Sequence, residues 1–372
     1  MTRTFHPIGQ GAFYTEVFEN QFIAIYDCGG SDKQIIENEI KTTFEKGQIV
    51  DIVFISHLHN DHINGLEFLL QYCDVKKVVL PLLNDAMKLS FILENTIYNR
   101  NKNNTFNDDL IITPEKILDH KVVLVEPYED NILINESVDI TNLSNMIKSN
   151  TKIVNQQINW LYIPLNFQYD LYANNLKIAL AKIGVTISNI VLKLQTNRQD
   201  IIDVYKNVLG GTKNFNANSM TVYSGKMSGN KLSMLTKQSN KFVLSEKVGC
   251  LYLGDFEAKE QSKFDNLKNA YKTYWAEIST VQIPHHGSSH NFHKDLAWSD
   301  SISIISTGFR YKHPSSQVVK EIVKQNSWLG LVTKNNNTKV TQCIKSCKIK
   351  SLACISSEVD DLLQDKYPEC FI

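Results

Sequence analysis

Apolar residues fall along the first eighty positions in short runs closed by turn residues. Phe22-Ile23-Ala24-Ile25-Tyr26-Asp27-Cys28 ends at Gly29-Gly30, which predicts a strand and a turn. Gln34 to Phe44 carries helical spacing. Val50-Asp51-Ile52-Val53-Phe54-Ile55-Ser56 is almost continuously apolar and β-branched, the pattern of a strand buried on both faces. Ile63 to Cys73 predicts a helix, and Lys77-Val78-Val79-Leu80 a further strand stopped by Pro81. Strand character returns at Ser219 to Tyr223, Val248 to Leu253, Thr280 to Ile283 and Ile302 to Ile305. Helical patterns lie between these runs, at about Glu257 to Trp275 and Ser316 to Gln325. Strands alternating with helices imply a layered α/β domain.

The pattern changes between Asn84 and Asn214. Asn-rich stretches such as Asn99 to Asn107 predict loops, and Asn175 to Gln195 predicts one amphipathic helix. No catalytic constellation falls there. The chain therefore divides into 1–83, a first part of the α/β fold; 84–214, a helical insertion or cap; 215–345, the second part of the fold; and 346–372, a tail. The insertion reads as a helical cap or interaction module, and would be the docking surface if the chain works with a protein partner.

Composition narrows the function classes. Lys and Arg number 39, as do Asp and Glu, so the chain has no global charge to attract nucleic acid or a membrane surface. No run of 18 apolar residues predicts a membrane span, and Met1 to His6 lacks the apolar stretch of a secretion signal. Seven scattered cysteines, an odd number, suit a reducing compartment, so a cytoplasmic location is expected. The spacing of Cys343, Cys347 and Cys354 does not match a paired metal-binding pattern, and these are expected to be thiols. One local bias stands out. From Arg310 to Lys350 there are nine basic residues against one acid, Glu321, which suits either a phosphate-binding stripe or an ordinary solvated surface.

Against this background His57-Leu58-His59-Asn60-Asp61-His62 is exceptional: three histidines and an aspartate directly after a buried strand. Imidazole nitrogen and carboxylate oxygen are the ligands preferred by zinc, manganese and iron. A lone histidine is ordinarily structural, but four ligand types packed this closely point to metal. The first two histidines would suit one ion and the Asp61-His62 pair a second. Leu253-Gly254-Asp255 ends another strand in a carboxylate. Alone it reads as a common turn, and beside the first motif it is a candidate bridge between two ions. Ile283-Pro284-His285-His286-Gly287-Ser288-Ser289 ends a third strand in histidines. One of His285 and His286 is expected to bind metal and the other to handle protons, with Ser288 and Ser289 as donors to an anionic substrate. His313, before Pro314, is a candidate general acid or a loop histidine.

Together these motifs resemble the metallo-β-lactamase superfamily. The early Ile8-Gly9-Gln10-Gly11, the turn at Asp27-Cys28-Gly29, Asn218-Ser219, Gly254-Asp255, His285-His286-Gly287-Ser288 and His313-Pro314 resemble its ComEC-like branch, related to the hydrolase domain of bacterial DNA-uptake channels. The resemblance covers about residues 5–82 and 215–340. It implies an αββα sandwich, a bacterial source, and one or two divalent ions, zinc or manganese. It carries the ligand role onto His57, His59, Asp61, His62, Asp255 and His286, with His286 favoured because it precedes the glycine. Asp61, His285 and His313 would be catalytic, and Asn218, Ser288 and Ser289 would bind substrate. In one place the chain departs from the family: Asn214 to Ser219 has no histidine where the superfamily usually places a ligand.

The function expected is a metal-dependent hydrolase, foremost a phosphodiesterase or nuclease using a metal-activated water. Two alternatives remain: a hydrolase of small molecules such as a cyclic nucleotide, lactone or thioester, and an effector subunit controlled by a partner.

Overall fold

The computed structural model describes residues 1–98, 105–129, 136–168, 171–209, 219–229 and 231–346. Among these residues two sheets face each other. The first has ten strands, in the order Lys241–Ser245, Ser233–Gln238, Val340–Lys345, Thr2–Phe5, Gly11–Val17, Ile23–Gly30, Ile49–Phe54, Asp74–Pro81, Val122–Val125 and Met146–Ile147. The second has eight, in the order Trp328–Val332, Ile302–Ser306, Ile278–Gln282, Gly249–Tyr252, Met220–Lys226, Trp160–Asn166, Lys152–Asn155 and Ser137–Asp139. Ile49–Phe54 runs parallel to both neighbours, Ile23–Gly30 and Asp74–Pro81. That placement between two parallel partners is what its nearly continuous apolar run, interrupted by Asp51, requires.

The inner faces of the sheets meet on Tyr14, Tyr26, Phe54, Trp160, Tyr162 and Tyr252. Ile36, Ile40, Leu66 and Leu69 bring their helices onto the outer face of the first sheet. Phe264, Leu267, Val318 and Ile322 do the same on the second. The result is the αββα metallo-β-lactamase sandwich.

A charged pair sits inside it. Arg3 is fully buried; its Nε donates to Glu16 Oε1 at 2.7 Å and its Nη1 to Gln342 Oε1 at 3.0 Å. Glu16 also accepts from Ser224 Oγ at 2.8 Å and from the hydroxyls of Tyr162 and Tyr252 at 2.9 Å. Bonds to both Glu16 oxygens and to Arg3 Nε and Nη1 offset much of the cost of burying the pair, while Arg3 Nη2 is buried without a hydrogen-bond partner.

Segment 84–214 differs from its helical reading. It does contain helices, at Asp85–Tyr98, Thr105–Ile112, Leu171–Lys182, Ile190–Thr196 and Arg198–Leu209. It also supplies Val122–Val125 and Met146–Ile147 to the first sheet, and Ser137–Asp139, Lys152–Asn155 and Trp160–Asn166 to the second. Val122–Val125, Lys152–Asn155 and Trp160–Asn166 are mostly buried and rich in β-branched or aromatic residues, whereas Ser137–Asp139 and Met146–Ile147 are short and partly exposed, and polar loops separate the runs and conceal the alternation. The single helix expected over Asn175 to Gln195 is two helices. Gly184, at φ +73°, breaks it, and Asn189 caps the break by donating to Gly184 O and accepting from Thr186 N–H.

Cys343 is disulfide-bonded, which corrects the thiol reading there. Cys347 and Cys354 lie outside the described residues. Cys28, Cys73 and Cys250 are buried free thiols. No described helix is long and apolar enough to cross a membrane.

Candidate metal centre

The C-terminal ends of parallel strands from both sheets converge on one point, as open α/β sheets arrange their sites. After Ile49–Phe54 the chain turns through His57 to Asp61. It can turn there because Gly11 and Gly29 leave room. A Cβ on Gly29 would stand 2.5 Å from His62 C, and one on Gly11 2.4 Å from Asp61 O. Asp255 follows Gly249–Tyr252, and His285 and His286 follow Ile278–Gln282. Both histidines hold left-handed backbones, at φ +47° and +55°. A side chain held there carries strain of order 1–3 kcal/mol, and such strain clusters at functional sites.

Two groups of ligand atoms result, each within 4.8 Å of one another: His57, His59 and Asp255; and Asp61, His62 and His286. Asp255 stands between them. Its Oδ2 is 3.6 Å from His57 Nε2 and its Oδ1 3.4 Å from His62 Nε2. His286 Nε2 lies 3.3 Å from Asp61 Oδ2.

The far side of each ring is fixed. Asp27 accepts from Ser56 N–H at 2.6 Å, from Ser56 Oγ at 2.7 Å and from His62 Nδ1 at 2.8 Å. Ser56 Oγ, having donated to Asp27, accepts from His57 Nδ1 at 2.9 Å. His286 Nδ1 donates to Ser306 O at 3.0 Å. His59 Nε2 is paired with Glu94, leaving its Nδ1 toward the cluster. Such outer partners set the tautomer and turn the other nitrogen into a ligand.

Four inward atoms, His57 Nε2, His62 Nε2, Asp255 Oδ1 and His286 Nε2, are buried without a hydrogen-bond partner. Buried polar atoms are ordinarily satisfied. Four that are not, all aimed at one point, fit divalent metal.

Electrostatics agree. Burial, and next the neighbouring His62, holds His57 well below its ordinary value, so the ring is neutral and ready to coordinate. Burial also lowers His62 and His59, but the carboxylates outweigh it. Asp27 and Asp255 raise His62 well above its usual value, and Glu94 raises His59. Asp255 is held well below the usual carboxylate range despite burial, chiefly by His285 and His62.

His285 and His313 flank the cluster with ring centroids 5.4 Å apart. His285 Nδ1 is 2.8 Å from Asn291 Oδ1, and its Nε2 is 3.6 Å from Asp255 Oδ2. His313 is pushed down to about 4, by burial first and then by His285 and His286. It is therefore neutral at pH 7, which suits a hydrogen-bonding role better than the general-acid role weighed from sequence. Ser288 is buried, its Oγ accepting from His290 N–H at 3.2 Å, while Ser289 is half-buried. Asn218 lies outside the described residues. Ser219 is within them, and its Oγ accepts from Asp255 N–H at 3.1 Å.

Sequence reasoning missed the roles of Asp27, Glu94 and Ser306. Asp27 was visible inside the quoted turn motif. Glu94 left a fainter signal, an acid at the end of the apolar Phe91-Ile92-Leu93. Ser306 acts through its backbone and leaves none. The basic run from Arg310 is dispersed: Arg310 and Lys312 lie on the short 3-10 helix Arg310–Lys312, Lys320 and Lys324 on Ser316–Lys324, and Lys345 on Val340–Lys345. Lys348 and Lys350 fall outside the described residues.

Two facing sheets and the six converging histidine and aspartate side chains together make a candidate centre for divalent metal. Comparison with known proteins adds that residues 15–131, which include the whole His57–His62 loop, match the family described as Metallo-beta-lactamase superfamily. Among solved structures, a long-form RNase Z from yeast is similar at 11% identity and a TM-score of 0.36, over 83% of this chain and 36% of that one. The chain thus spans about a third of that protein's length. No curated protein matches. Nothing in these comparisons singles out the ComEC-like branch.

Proposed function

We propose that the chain is a metal-dependent hydrolase of phosphodiesters, with nucleic acid as its substrate. The observation that carries this reading is the shared carboxylate, Asp255, between two three-residue ligand groups. His57, His59 and Asp255 would hold one ion, and Asp61, His62 and His286 a second, zinc or manganese by their donors. Bound there, a divalent pair supplies Lewis-acid polarisation of a phosphoryl oxygen and makes water acidic enough to attack near pH 7.

The chain's own residues do the rest. The Asp61 side chain is 33% exposed, against 5% for Asp255. Asp61 is thus the ligand that meets solvent and can orient an attacking water. His285, fixed through Asn291, directs Nε2 into the site and is placed to pass a proton to the leaving oxygen. Neutral His313 hydrogen-bonds the substrate beside it. The loop ending at His313 exposes Phe309, Arg310 and Lys312, an aromatic face and two cations suited to bases and phosphates.

The test is cleavage of single- and double-stranded DNA, RNA and bis(p-nitrophenyl) phosphate with Zn²⁺, Mn²⁺ or Mg²⁺, beside the double substitution Asp61→Ala, His62→Ala. Nucleic-acid cleavage lost in the double variant is expected. Turnover of the small diester or of an ester alone would replace nucleic acid with a small-molecule substrate. Loaded protein inert toward every substrate would sink the proposal.

A further inference from the structure

The helix Asp85–Tyr98 belongs to the segment that reads from sequence as a cap, yet it reaches under the ligand loop at three consecutive positions. Asn95 Nδ2 donates to Leu58 O at 2.8 Å, Glu94 pairs with the His59 ring, and Asn95 Oδ1 accepts from Asn60 N–H at 3.0 Å. Asn107, on the next helix, donates to Asn60 Oδ1 at 3.1 Å. Phe91 packs its ring 5.0 Å from His59. Glu94 is only 3% exposed, and its other oxygen accepts from Tyr205 at 3.1 Å, from the helix Arg198–Leu209. A carboxylate buried so deeply requires partners on both oxygens, and these two tie it to a ligand on one side and to the helical layer on the other.

We propose that this helical layer is a clamp on the ligand loop, and that Glu94 is a positioning residue setting how tightly the His57, His59 and Asp255 group holds its ion. Glu94 fixes the plane of the His59 ring, commits Nε2 to itself and leaves Nδ1 as the donor. The clamp favours one group over the other. His62 and His286 are oriented by Asp27 and Ser306, which lie in the sheets and owe nothing to the helices. The inference rests on the metal-holding half of the function proposed above and not on its phosphodiester half.

The experiment is titration of the full-length, metal-free chain with Zn²⁺ against a chromophoric chelator, and with Co²⁺ followed by its visible absorption. For E94Q we expect about 10- to 100-fold weaker binding of one equivalent, the usual cost of losing such a partner. The other equivalent should be unchanged, and the Co²⁺ bands of the weakened one altered. E94D should restore part of the affinity. Y205F, which keeps the carboxylate, should weaken the same equivalent by a smaller factor and carries the test should E94Q fail to fold. Equal weakening of both equivalents, no change in either, or a wild-type chain that loads no ion in this group would overturn the proposal. Binding is read without substrate. A chain that loads two ions and cleaves no phosphodiester therefore sinks the proposed function and leaves the clamp standing.

Discussion

The two ligand groups share one loop and one carboxylate, yet different parts of the molecule hold them. Asp61, His62 and His286 are braced from the sandwich itself. Asp27 lies within the central strand Ile23–Gly30 and grips His62, while Ser306 ends Ile302–Ser306 and grips His286. His57, His59 and Asp255 are braced half from the sandwich, through Ser56, and half from the helices, through Glu94. Neighbours in sequence can thus answer to separate supports. A helical layer that looks peripheral can bear on the chemistry when one of its acids is buried against a ligand.

This asymmetry can be broken or sharpened by substitution. The largest effect should come from Asp255→Ala, because Asp255 faces both groups. We expect both equivalents of metal to be lost and turnover to fall by about 10³-fold or more, since the ions' charge stabilisation amounts to several kcal/mol. A retained equivalent, measured by elemental analysis, would show that the carboxylate serves one group only. Asp27→Asn is the mirror of the Glu94 variant. It should weaken the Asp61, His62 and His286 equivalent about 10- to 100-fold and spare the other. Loss of the same equivalent in both variants would mean that the groups are not separately braced.

A smaller effect lies in pH. Nearby carboxylates raise His59 and His62 above their ordinary value against the effect of burial, so each ion competes with a proton on one of them. A group raised above 6.5 is charged below its raised value, so metal affinity should climb as pH rises through neutrality. Calorimetry in buffers of different ionisation heat should find protons released with each equivalent. Glu94→Gln should remove the release from one equivalent and Asp27→Asn reduce it in the other. The smallest effect is expected from Asn95→Ala, which loosens the loop backbone without touching a ligand: roughly 3-fold weaker binding at the clamped group, from a net loss near 0.5–1.5 kcal/mol per hydrogen bond.

How much of this the sequence reveals depends on how local the information is. The clustering of His57 to His62 is legible because these candidate ligands are nearly consecutive and follow a buried strand. Asp255 and His286 are legible because each ends a strand beside a glycine. Glu94 is 35 residues from His59 and Tyr205 another 111 away, and nothing local binds the three together. Among the elements, Ile49–Phe54 and the helix Lys33–Thr43 follow from their periodicity. Val122–Val125 carries equally good strand residues, but its place beside Asp74–Pro81 is a long-range pairing that no window around it contains.

The pairing of Thr2–Phe5 between Gly11–Val17 and Val340–Lys345 has a consequence for synthesis on the ribosome. Gln342, which Arg3 bonds, emerges 339 residues after it. At about 5–20 residues per second, the nascent first strand waits on the order of half a minute before its far neighbour can pair. Through that interval the chain exposes an open sheet edge and an ionised arginine still in water, a state that invites chaperone binding. The candidate ligand loop and the strands bracketing it, Ile23–Gly30 to Asp74–Pro81, lie close together in sequence and can take shape long before the sheet around them is complete.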